Sequence, residues 1–244
     1  MNKIIIAGAS SGIGLALAEA FASRGVKVGV AARHLEPLLR LGDKYPGMVE
    51  AETMDITMPE AKAALMRLIK RMGGMDIYIH VAGIGSQNHS LDPELEVRMI
   101  DTDAAAFARM ISCAYNYFRA SGRSGRIAAV TSVAGTRGIG SMSAYSAAKA
   151  CASTYLEALR QLARSSGVPV TITDIQPGWI RTPLLNEDKS YPLEMTVAQV
   201  VPLILRAIAD GVPVAVIDWR WRIVKYLWRR LPSPLWTRMS GFGF

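Results

Sequence analysis

Residues 3–14, KIIIAGASSGIG, decide the fold. Residues 3–7 are almost wholly apolar and predict a short buried strand, and residues 15–23 predict an amphipathic helix. The glycines between them permit a tight turn and let the backbone approach a pyrophosphate lying at the start of the helix. The pattern predicts a dinucleotide site made by Gly8, Ser10, Ser11, Gly12, Ile13 and Gly14.

The end of the second predicted strand, residues 27–31, indicates which dinucleotide binds. An acidic residue at this point holds the ribose hydroxyls of NAD, whereas a cation suits the extra phosphate of NADP. Arg33 occupies the position, with the Ser11 hydroxyl as a second ligand, and predicts NADP(H). Glu36 is the competing candidate, but an acid is expected anyway in the first turn of the next helix. The remaining interpretation of Arg33 is a solvated surface charge.

Strands alternate with helices along the rest of the chain, which implies a parallel sheet with ligands at the carboxyl ends of its strands. The further strands are predicted at residues 49–54, 76–81, 127–131, 170–175 and 214–217. The fold class is therefore α/β, a doubly wound, Rossmann-like parallel sheet of about seven strands with helices on both faces. Residues 1–218 are predicted to form one domain that includes a lid loop at 184–196, followed by a tail at 219–244.

Candidate cofactor ligands follow several of these strands. Asp55, with Ile56 beside it, can contact the adenine edge or can cap the predicted helix at residues 59–72. The backbone must pass near a ligand at the end of the fourth strand and after the sixth. The fourth strand is followed by Ala82 and Gly83, and the sixth by Pro177 and Gly178.

The fifth strand leads to three polar residues that suit proton transfer to a carbonyl oxygen. Ser132 ends the strand, and Tyr145 and Lys149 lie four apart on the next predicted helix, so that both project from one face. A phenol is a poor acid at neutral pH, with a reference pKa of about 10, but a neighbouring ammonium favours its ionised form. A serine hydroxyl can hydrogen-bond the substrate oxygen where charge develops.

These motifs, in this order and spacing, resemble the short-chain dehydrogenase/reductase family, in its single-domain, NADP-preferring branch. The resemblance covers residues 3–183. It implies that Tyr145 is the general acid/base and that Lys149 both stabilises the phenolate and binds the ribose. It also implies that Ser132 binds the substrate oxygen and that Thr182 and Ile180 hold the nicotinamide carboxamide.

The chain departs from the family pattern at three places. The threonine usual before the first glycine is Ala7, and the family's Asn-Asn-Ala-Gly begins here with His80 and Val81. The family's catalytic asparagine aligns with Asp103, or with Asp101 if the alignment slips. A carboxylate near Lys149 can hold the ammonium too tightly, and the resulting hypothesis is a slowed turnover or a shifted pH optimum.

Composition excludes several other classes of protein. The chain has 244 residues, 50% of them hydrophobic and 20% charged, which are globular values. No apolar run is long enough to span a membrane, and the glycines and serines after residue 7 argue against a signal peptide. Cys113 and Cys151 lack paired spacing and are predicted to be reduced core residues of a cytoplasmic protein.

The tail at 219–244 carries six of the 28 lysines and arginines, no acid, and four of the five tryptophans. Val224, Leu227, Trp228 and Leu231 are predicted to form an apolar stripe on a basic helix. Such a helix suits adsorption to an anionic membrane surface. The alternatives are packing over the substrate cleft or against another subunit. The positive charge is local, and no nucleic-acid motif accompanies it.

The sequence thus predicts an NADP(H)-dependent oxidoreductase acting on a carbonyl or secondary alcohol, with a tail that favours an apolar substrate. The alternative is a low-turnover NADPH sensor or scaffold, which the replaced asparagines favour and the intact Ser132, Tyr145 and Lys149 oppose. The family resemblance implies a homodimer or homotetramer in which long helices pair between subunits.

Overall fold

The computed structural model of the protein describes residues 3–185 and 191–239. Residues 186–190, which belong to the predicted lid loop, lie outside the described residues, as do residues 1–2 and 240–244. Helices and strands are numbered below in chain order within the described part of the chain.

Seven strands of the described chain form one parallel sheet, in the order β3-β2-β1-β4-β5-β6-β9. They are β1 (Ile4–Ala7), β2 (Val28–Ala32), β3 (Val49–Thr53), β4 (Ile77–His80), β5 (Gly125–Val130), β6 (Val170–Gln176) and β9 (Val214–Val216). The order reverses between β1 and β4, and in such sheets ligands bind in the crevice at the reversal. The predicted fold class is confirmed.

Helices cover both faces of the sheet. One face packs against α1 (Gly12–Ala22), α2 (Glu36–Lys44) and α7 (Val197–Asp210), and the other against α3 (Ala61–Met72), α5 (Phe107–Ser121) and α6 (Ser143–Ser165). Strand β1 shows why the strands are apolar throughout. Ile4 and Ile6 point into one core and Ile5 into the other, and all three are buried.

The helical chain from residue 93 to residue 121 is not uniform. It consists of α4 (Pro93–Ile100), a π-helical turn (Asp101–Ala106) and α5. A π-helical turn holds one more residue than an α-helical turn and is common at functional sites. It changes the direction in which the side chains after it project.

Four further elements lie at the carboxyl edge of the sheet. Strands β7 (Ile180–Arg181) and β8 (Met195–Thr196) pair with each other across the predicted lid loop. Helices α8 (Trp219–Arg230) and α9 (Ser233–Arg238) form the described part of the tail. None of the helices within residues 3–185 and 191–239 is long and apolar enough to cross a membrane.

The two thiols are both free, as predicted, but only one lies near the core. Cys113 is half-buried against one core, and burial raises the pKa of its thiol. Cys151 is exposed on α6, so its prediction as a core residue is wrong. It lies on the solvent side of a helix whose opposite face is buried.

Candidate active site

A cleft of about 930 Å³ follows the edge of the sheet where the strands end. Most of the predicted site residues line it. They are Gly8, Ser10, Ser11, Gly12, Ile13, Arg33, Asp55, Ile56, Ala82, Gly83, Ser132, Tyr145, Lys149, Pro177, Gly178, Ile180 and Thr182. The two others, Gly14 and Asp103, are buried behind its wall. The topology therefore brings residues from six strand ends to one place.

The first turn is packed so tightly that only glycine fits at two positions. Gly8 has φ +90°, and a Cβ there would lie 2.4 Å from the backbone nitrogen of Ala82. A Cβ on Gly14 would lie 2.0 Å from the carbonyl oxygen of Gly8. Any side chain would displace the turn from the neighbouring strand end, so the backbone itself forms the floor of the cleft here.

The start of α1 is suited to an anion. Ser11 is the N-cap, with extended backbone, but its side chain makes no capping hydrogen bond, and the first turn contains no acid. The first backbone N–H groups of a helix lack partners within the helix and carry its positive dipole end. At α1 these groups lie beside the glycine turn, where a phosphate can accept their hydrogen bonds.

Arg33 and Asp55 lie at adjacent strand ends on one side of the cleft. Arg33 is exposed. The Asp55 carboxylate accepts hydrogen bonds from the backbone N–H of Thr57 at 2.9 Å and from its hydroxyl at 2.7 Å. Partial burial alone would raise the pKa of Asp55, but the Thr57 hydrogen bonds and the charge of Arg33 lower it below its ordinary value.

The structure decides two questions that the sequence left open: whether Asp55 caps α3, and whether Arg33 or Glu36 faces the cleft. Asp55 does not cap α3, because that helix begins at Ala61 with Glu60 as its N-cap, and Asp55 instead closes a turn before it. Glu36 begins α2, pairs with Arg40 at 3.2 Å, and is not among the described residues that line the cleft. Arg33, and not Glu36, therefore faces the cleft after the end of β2.

Ser132, Tyr145 and Lys149 all face the cleft. The Ser132 hydroxyl oxygen accepts a hydrogen bond from the backbone N–H of Ala134 at 3.1 Å, which leaves its proton to donate. The Lys149 ammonium lies 5.4 Å from the centre of the Tyr145 ring. A Cβ on Gly135 would lie 2.7 Å from the backbone carbonyl carbon of Lys149, so the loop after β5 packs directly on α6 at this point.

Asp103 forms a buried ion pair with Lys149, with 3.0 Å between Oδ2 and Nζ. The backbone N–H of Ile84 donates to Asp103 Oδ1 at 2.8 Å. Burial by itself would lower the pKa of Lys149, but the Asp103 charge and the Tyr145 and Asp174 side chains raise it above its ordinary value. Asp101 is exposed, so the residue that meets Lys149 is Asp103.

His80, which replaces an asparagine of the family pattern, is buried beneath the cleft. Its Nδ1 lies 3.0 Å from the Tyr78 hydroxyl, and its ring meets the Phe107 ring edge-on at 5.1 Å. Its Nε2 has no hydrogen-bond partner among the described residues. Burial, helped by the charge of Lys149, lowers the pKa of His80 to about 3, so the ring is neutral in the folded protein.

We expect this histidine to make the fold sensitive to acid. An unfolded histidine takes up a proton below its ordinary pKa of 6.5, whereas folded His80 does so only near pH 3. The unfolded state therefore binds more protons between these values, and stability falls as the pH falls. Lowering the pH from 7 to 5 is expected to remove about 2 kcal/mol of unfolding free energy through this group. Urea denaturation at both pH values measures it.

His80→Asn should flatten this pH dependence, whatever its effect on stability at pH 7. His89→Asn, at an exposed position, is the matched control and should retain the full dependence. Equal acid sensitivity in the wild-type protein and the His80→Asn variant would contradict the assignment.

The end of the cleft beside Tyr145, which is the predicted substrate half, is lined by aromatic residues that the sequence analysis did not name as site residues. Some belong to the tail, for which packing over the substrate cleft was one of the alternatives. Trp179 and Tyr191 stack with their ring centres 4.7 Å apart. Trp221, Val224 and Trp228, from the inner face of α8, complete the wall. The density of tryptophan in the tail was the available indication, but its place over the cleft follows only from the fold.

The predicted apolar stripe of the tail is therefore partly wrong. Val224 and Trp228 face the cleft, but Leu227 is 54% exposed on the opposite side of α8, and Trp221 is the residue that is buried. Helix α8 carries apolar side chains on both faces, so the periodicity of the sequence did not identify the face that packs against the domain.

Close packing and hydrogen bonds hold α8 in place. A Cβ on Gly178 would lie 2.0 Å from the Trp221 indole, so this glycine, predicted for its closeness to the cofactor, also makes room for the tail. Arg137, in the loop after Ser132, donates to the carbonyl of Trp228 at 3.0 Å and to that of Leu231. The tail thus connects directly to the loop that carries the catalytic candidate.

Comparison with known proteins agrees with this geometry. The short chain dehydrogenase family model matches residues 2–192. An uncharacterized oxidoreductase of Myxococcus xanthus is 33% identical, over 95% of this chain and 93% of its own. A 3-oxoacyl-[acyl-carrier-protein] reductase of Vibrio cholerae is 32% identical, over 80% of each chain.

A solved structure of a short-chain dehydrogenase also resembles this chain over nearly its whole length. A short-chain dehydrogenase from Sphingobium yanoikuyae, in complex with NADPH, superposes with a TM-score of 0.77 at 25% identity and covers 96% of this chain and 97% of its own. The protein belongs to the short-chain dehydrogenase family, which is a family of oxidoreductases, and the predicted resemblance is confirmed.

Proposed function

We propose that the protein is an NADP(H)-dependent oxidoreductase that transfers hydride between the nicotinamide and a carbonyl or secondary alcohol. The observation that carries the proposal is the cleft itself. Ser132, Tyr145 and Lys149 line it, as do the glycine turn and Arg33, which would bind the phosphates. The solved Sphingobium relative is a complex with NADPH, and the Vibrio relative is named as a reductase of a 3-oxoacyl group.

The residues present fit a bound NADP(H). The glycine turn, which packs directly on the backbone of the next strand end and so leaves its own backbone exposed to a ligand, and the uncapped start of α1 suit the pyrophosphate. Arg33 and Ser11 would hold the additional phosphate, and Asp55 and Ile56 would contact the adenine. The remaining ligands, which would hold the ribose and the nicotinamide, are Ala82, Gly83, Lys149, Pro177, Gly178, Ile180 and Thr182.

The preference for NADP(H) is testable through Arg33. NADPH is expected to bind more tightly than NADH, and Arg33→Ala is expected to weaken NADPH binding about 10- to 100-fold, because a charge-assisted bond to phosphate is lost. NADH binding should change little. Fluorescence titration of the bound nicotinamide measures both affinities.

Arg40→Ala is the matched control, since Arg40 is also an exposed arginine but lies on α2, pairs with Glu36 and is not among the described residues that line the cleft. It should leave both affinities unchanged. Equal affinity for the two dinucleotides, unaffected by Arg33→Ala, would show that Arg33 is only a solvated charge.

When bound, NADP(H) supplies or accepts the hydride. The Tyr145 phenol would donate a proton to the substrate oxygen during reduction, and the Ser132 hydroxyl would hydrogen-bond the same oxygen. The Lys149 ammonium, kept protonated by Asp103, would stabilise the phenolate that remains. These roles stay predictions for these positions.

The wall of the substrate half favours an apolar substrate. Aromatic side chains from the β6–β7 connection and from α8 surround it, and Trp221 is 4% exposed. Removing apolar surface from water would drive binding of a bulky apolar carbonyl compound there.

A homodimer or homotetramer is also proposed, because exposed apolar side chains lie on the long helices that pair in the family. Val97 on α4 is 57% exposed and Leu162 on α6 is 50% exposed. Burial of such side chains in a subunit interface would remove them from water.

One observation supports the second candidate, a low-turnover NADPH sensor or scaffold. It is the buried ion pair of Asp103 with Lys149, at 3.0 Å. An ionised carboxylate accepts hydrogen bonds but cannot donate as an amide does, and it holds the ammonium in place. This pair would slow turnover.

Asp103→Asn is expected to leave turnover unchanged or to raise it, because the amide can donate as well as accept and releases the ammonium. Steady-state NADPH oxidation with a substrate found by screening measures the effect. Asp101→Asn, on the exposed side of the same π-helical turn, is the control. A collapse of activity in an Asp103→Asn variant that still binds NADPH and remains folded, with Asp101→Asn unaffected, would rule out the hypothesis of a slowed enzyme.

A further inference from the structure

The outer face of α8 carries apolar side chains that do not belong to the cleft. Trp219, Ile223, Tyr226 and Leu227 are 66%, 50%, 54% and 54% exposed. Their spacing of four, seven and eight residues places them on one side of the helix. This side is opposite to the face that packs over the cleft, so the domain's core does not account for them.

The apolar face continues onto α9 and is accompanied by cations. Leu235 and Met239 are 52% and 44% exposed. The exposed basic residues are Arg222, Arg229, Arg230 and Arg238. Residues 219–239 contain no aspartate or glutamate. The guanidinium of Arg230 lies over the Tyr226 ring at 3.4 Å, so charge and apolar surface are interleaved.

Arg222 is exposed although its Nε donates to the carbonyl of Val216 at 3.5 Å. The two other cations of the tail are less exposed and have side-chain partners. Arg220 donates to Asp218 at 2.6 Å, and Lys225 donates to Gln176 on β6. The charges that face solvent are therefore concentrated beside the exposed apolar side chains. We refer to residues 219, 222, 223, 226, 227, 229, 230, 235, 238 and 239 as the outer face.

We propose that the outer face docks on an anionic phospholipid surface. Tryptophan and tyrosine are favoured at the boundary between lipid headgroups and acyl chains, and arginine is attracted to anionic headgroups. A helix of this kind lies in the plane of the interface rather than spanning the bilayer. Charge complementarity identifies the partner, because two copies of the outer face would each bring four exposed arginines and no acid to their contact.

Docking through the outer face would also fix the distance between the cleft and the lipid surface. Trp221, Val224 and Trp228 on the inner face of the same helix form a wall of the substrate half of the cleft. A protein docked through α8 would hold this wall one helix diameter, about 10 Å, from the lipid surface. The docking itself does not depend on the proposed activity, so the two proposals can fail separately.

The test is cosedimentation of the full-length protein with phospholipid vesicles. Vesicles of phosphatidylcholine containing phosphatidylglycerol are expected to bind the protein, and vesicles of phosphatidylcholine alone are expected to bind it at least about tenfold more weakly. The double substitution Ile223→Asp with Leu227→Asp should weaken binding to the anionic vesicles by about tenfold or more. High salt should weaken it as well.

Leu39→Asp with Met66→Asp is the matched control, since these leucine and methionine side chains are 51% and 42% exposed on α2 and α3. The control should bind anionic vesicles as the wild-type protein does. Equal binding to both vesicle types, or unchanged binding by the Ile223→Asp/Leu227→Asp protein, would overturn the proposal. The proposal would also be overturned if the wild-type protein bound no vesicles and the Ile223→Asp/Leu227→Asp protein formed a smaller oligomer than the wild-type protein in light scattering. That result would show that the outer face is a subunit interface.

Discussion

Replacing Tyr145 with phenylalanine is expected to lower turnover by about 10²- to 10⁴-fold, the usual contribution of a positioned acid or base. The phenyl ring keeps the shape of the side chain, including its position 5.4 Å from the Lys149 ammonium. It removes only the hydroxyl, and with it the proton that the substrate oxygen would receive. Steady-state kinetics of NADPH oxidation with a carbonyl substrate measures the loss.

Affinity for NADPH distinguishes a chemical effect from a structural one. The Tyr145→Phe variant should bind NADPH within about tenfold of wild type, because loss of one neutral hydrogen bond changes a free energy by about 0.5–1.5 kcal/mol. Tyr226→Phe, on the exposed side of α8, is the matched control for loss of a phenol and should keep its turnover. Undiminished turnover in the Tyr145→Phe variant would remove this residue from the mechanism.

Replacing Asp103 with alanine is expected to destabilise the fold by about 3–5 kcal/mol, because it leaves a buried ammonium without its countercharge. The Lys149 side chain is 9% exposed and that of Asp103 is 0% exposed, so water does not compensate the charge in place. The variant also loses the hydrogen bond that Asp103 accepts from Ile84. The free energy of unfolding in urea measures the cost.

A double-mutant cycle separates the ion pair from the other contacts of Asp103. If the pair causes the loss, Lys149→Met with Asp103→Ala should be more stable than Asp103→Ala alone, since it removes the uncompensated charge. Additive losses from the two single substitutions would mean that the pair contributes little and that the packing of the π-helical turn is responsible.

The sheet and much of the site could be predicted because short-range patterns determine them. Strand β1 is buried on both faces and therefore apolar at every position. Local features likewise mark both ends of helix α7, at Val197 and Asp210. Thr196 and Gln199 form a capping box at its start, and Gly211 closes it in the left-handed conformation.

The surroundings of Asp103 could not be predicted in the same way. The sequence from residue 93 onward fits a regular helix, and the π-helical turn arises where α4 and α5 pack around a buried charge. Within that turn Asp103 pairs with Lys149, whereas Asp101 is exposed. The alignment allowed either residue, because the choice depends on a contact 46 residues further along the chain.

The orientation of the tail helix α8 could not be predicted from the sequence for a different reason. Trp221 and Trp228 point to the cleft, whereas Trp219, Ile223 and Leu227 point away from it. A helix with apolar side chains on both faces has no periodicity that identifies the buried one. Its orientation follows from tertiary contacts, which are the space above Gly178 that the Trp221 indole fills and the hydrogen bonds from Arg137.

Transfer of deuterium from nicotinamide-deuterated NADPH to a panel of apolar ketones tests the central claim most directly. The wild-type protein is expected to yield at least one alcohol with deuterium on its carbinol carbon, and the Tyr145→Phe variant is expected to yield almost none while still binding NADPH. Mass spectrometry of the products measures both. Tight binding of NADPH with no deuterated alcohol from either protein would contradict the assignment as an enzyme and favour the sensor.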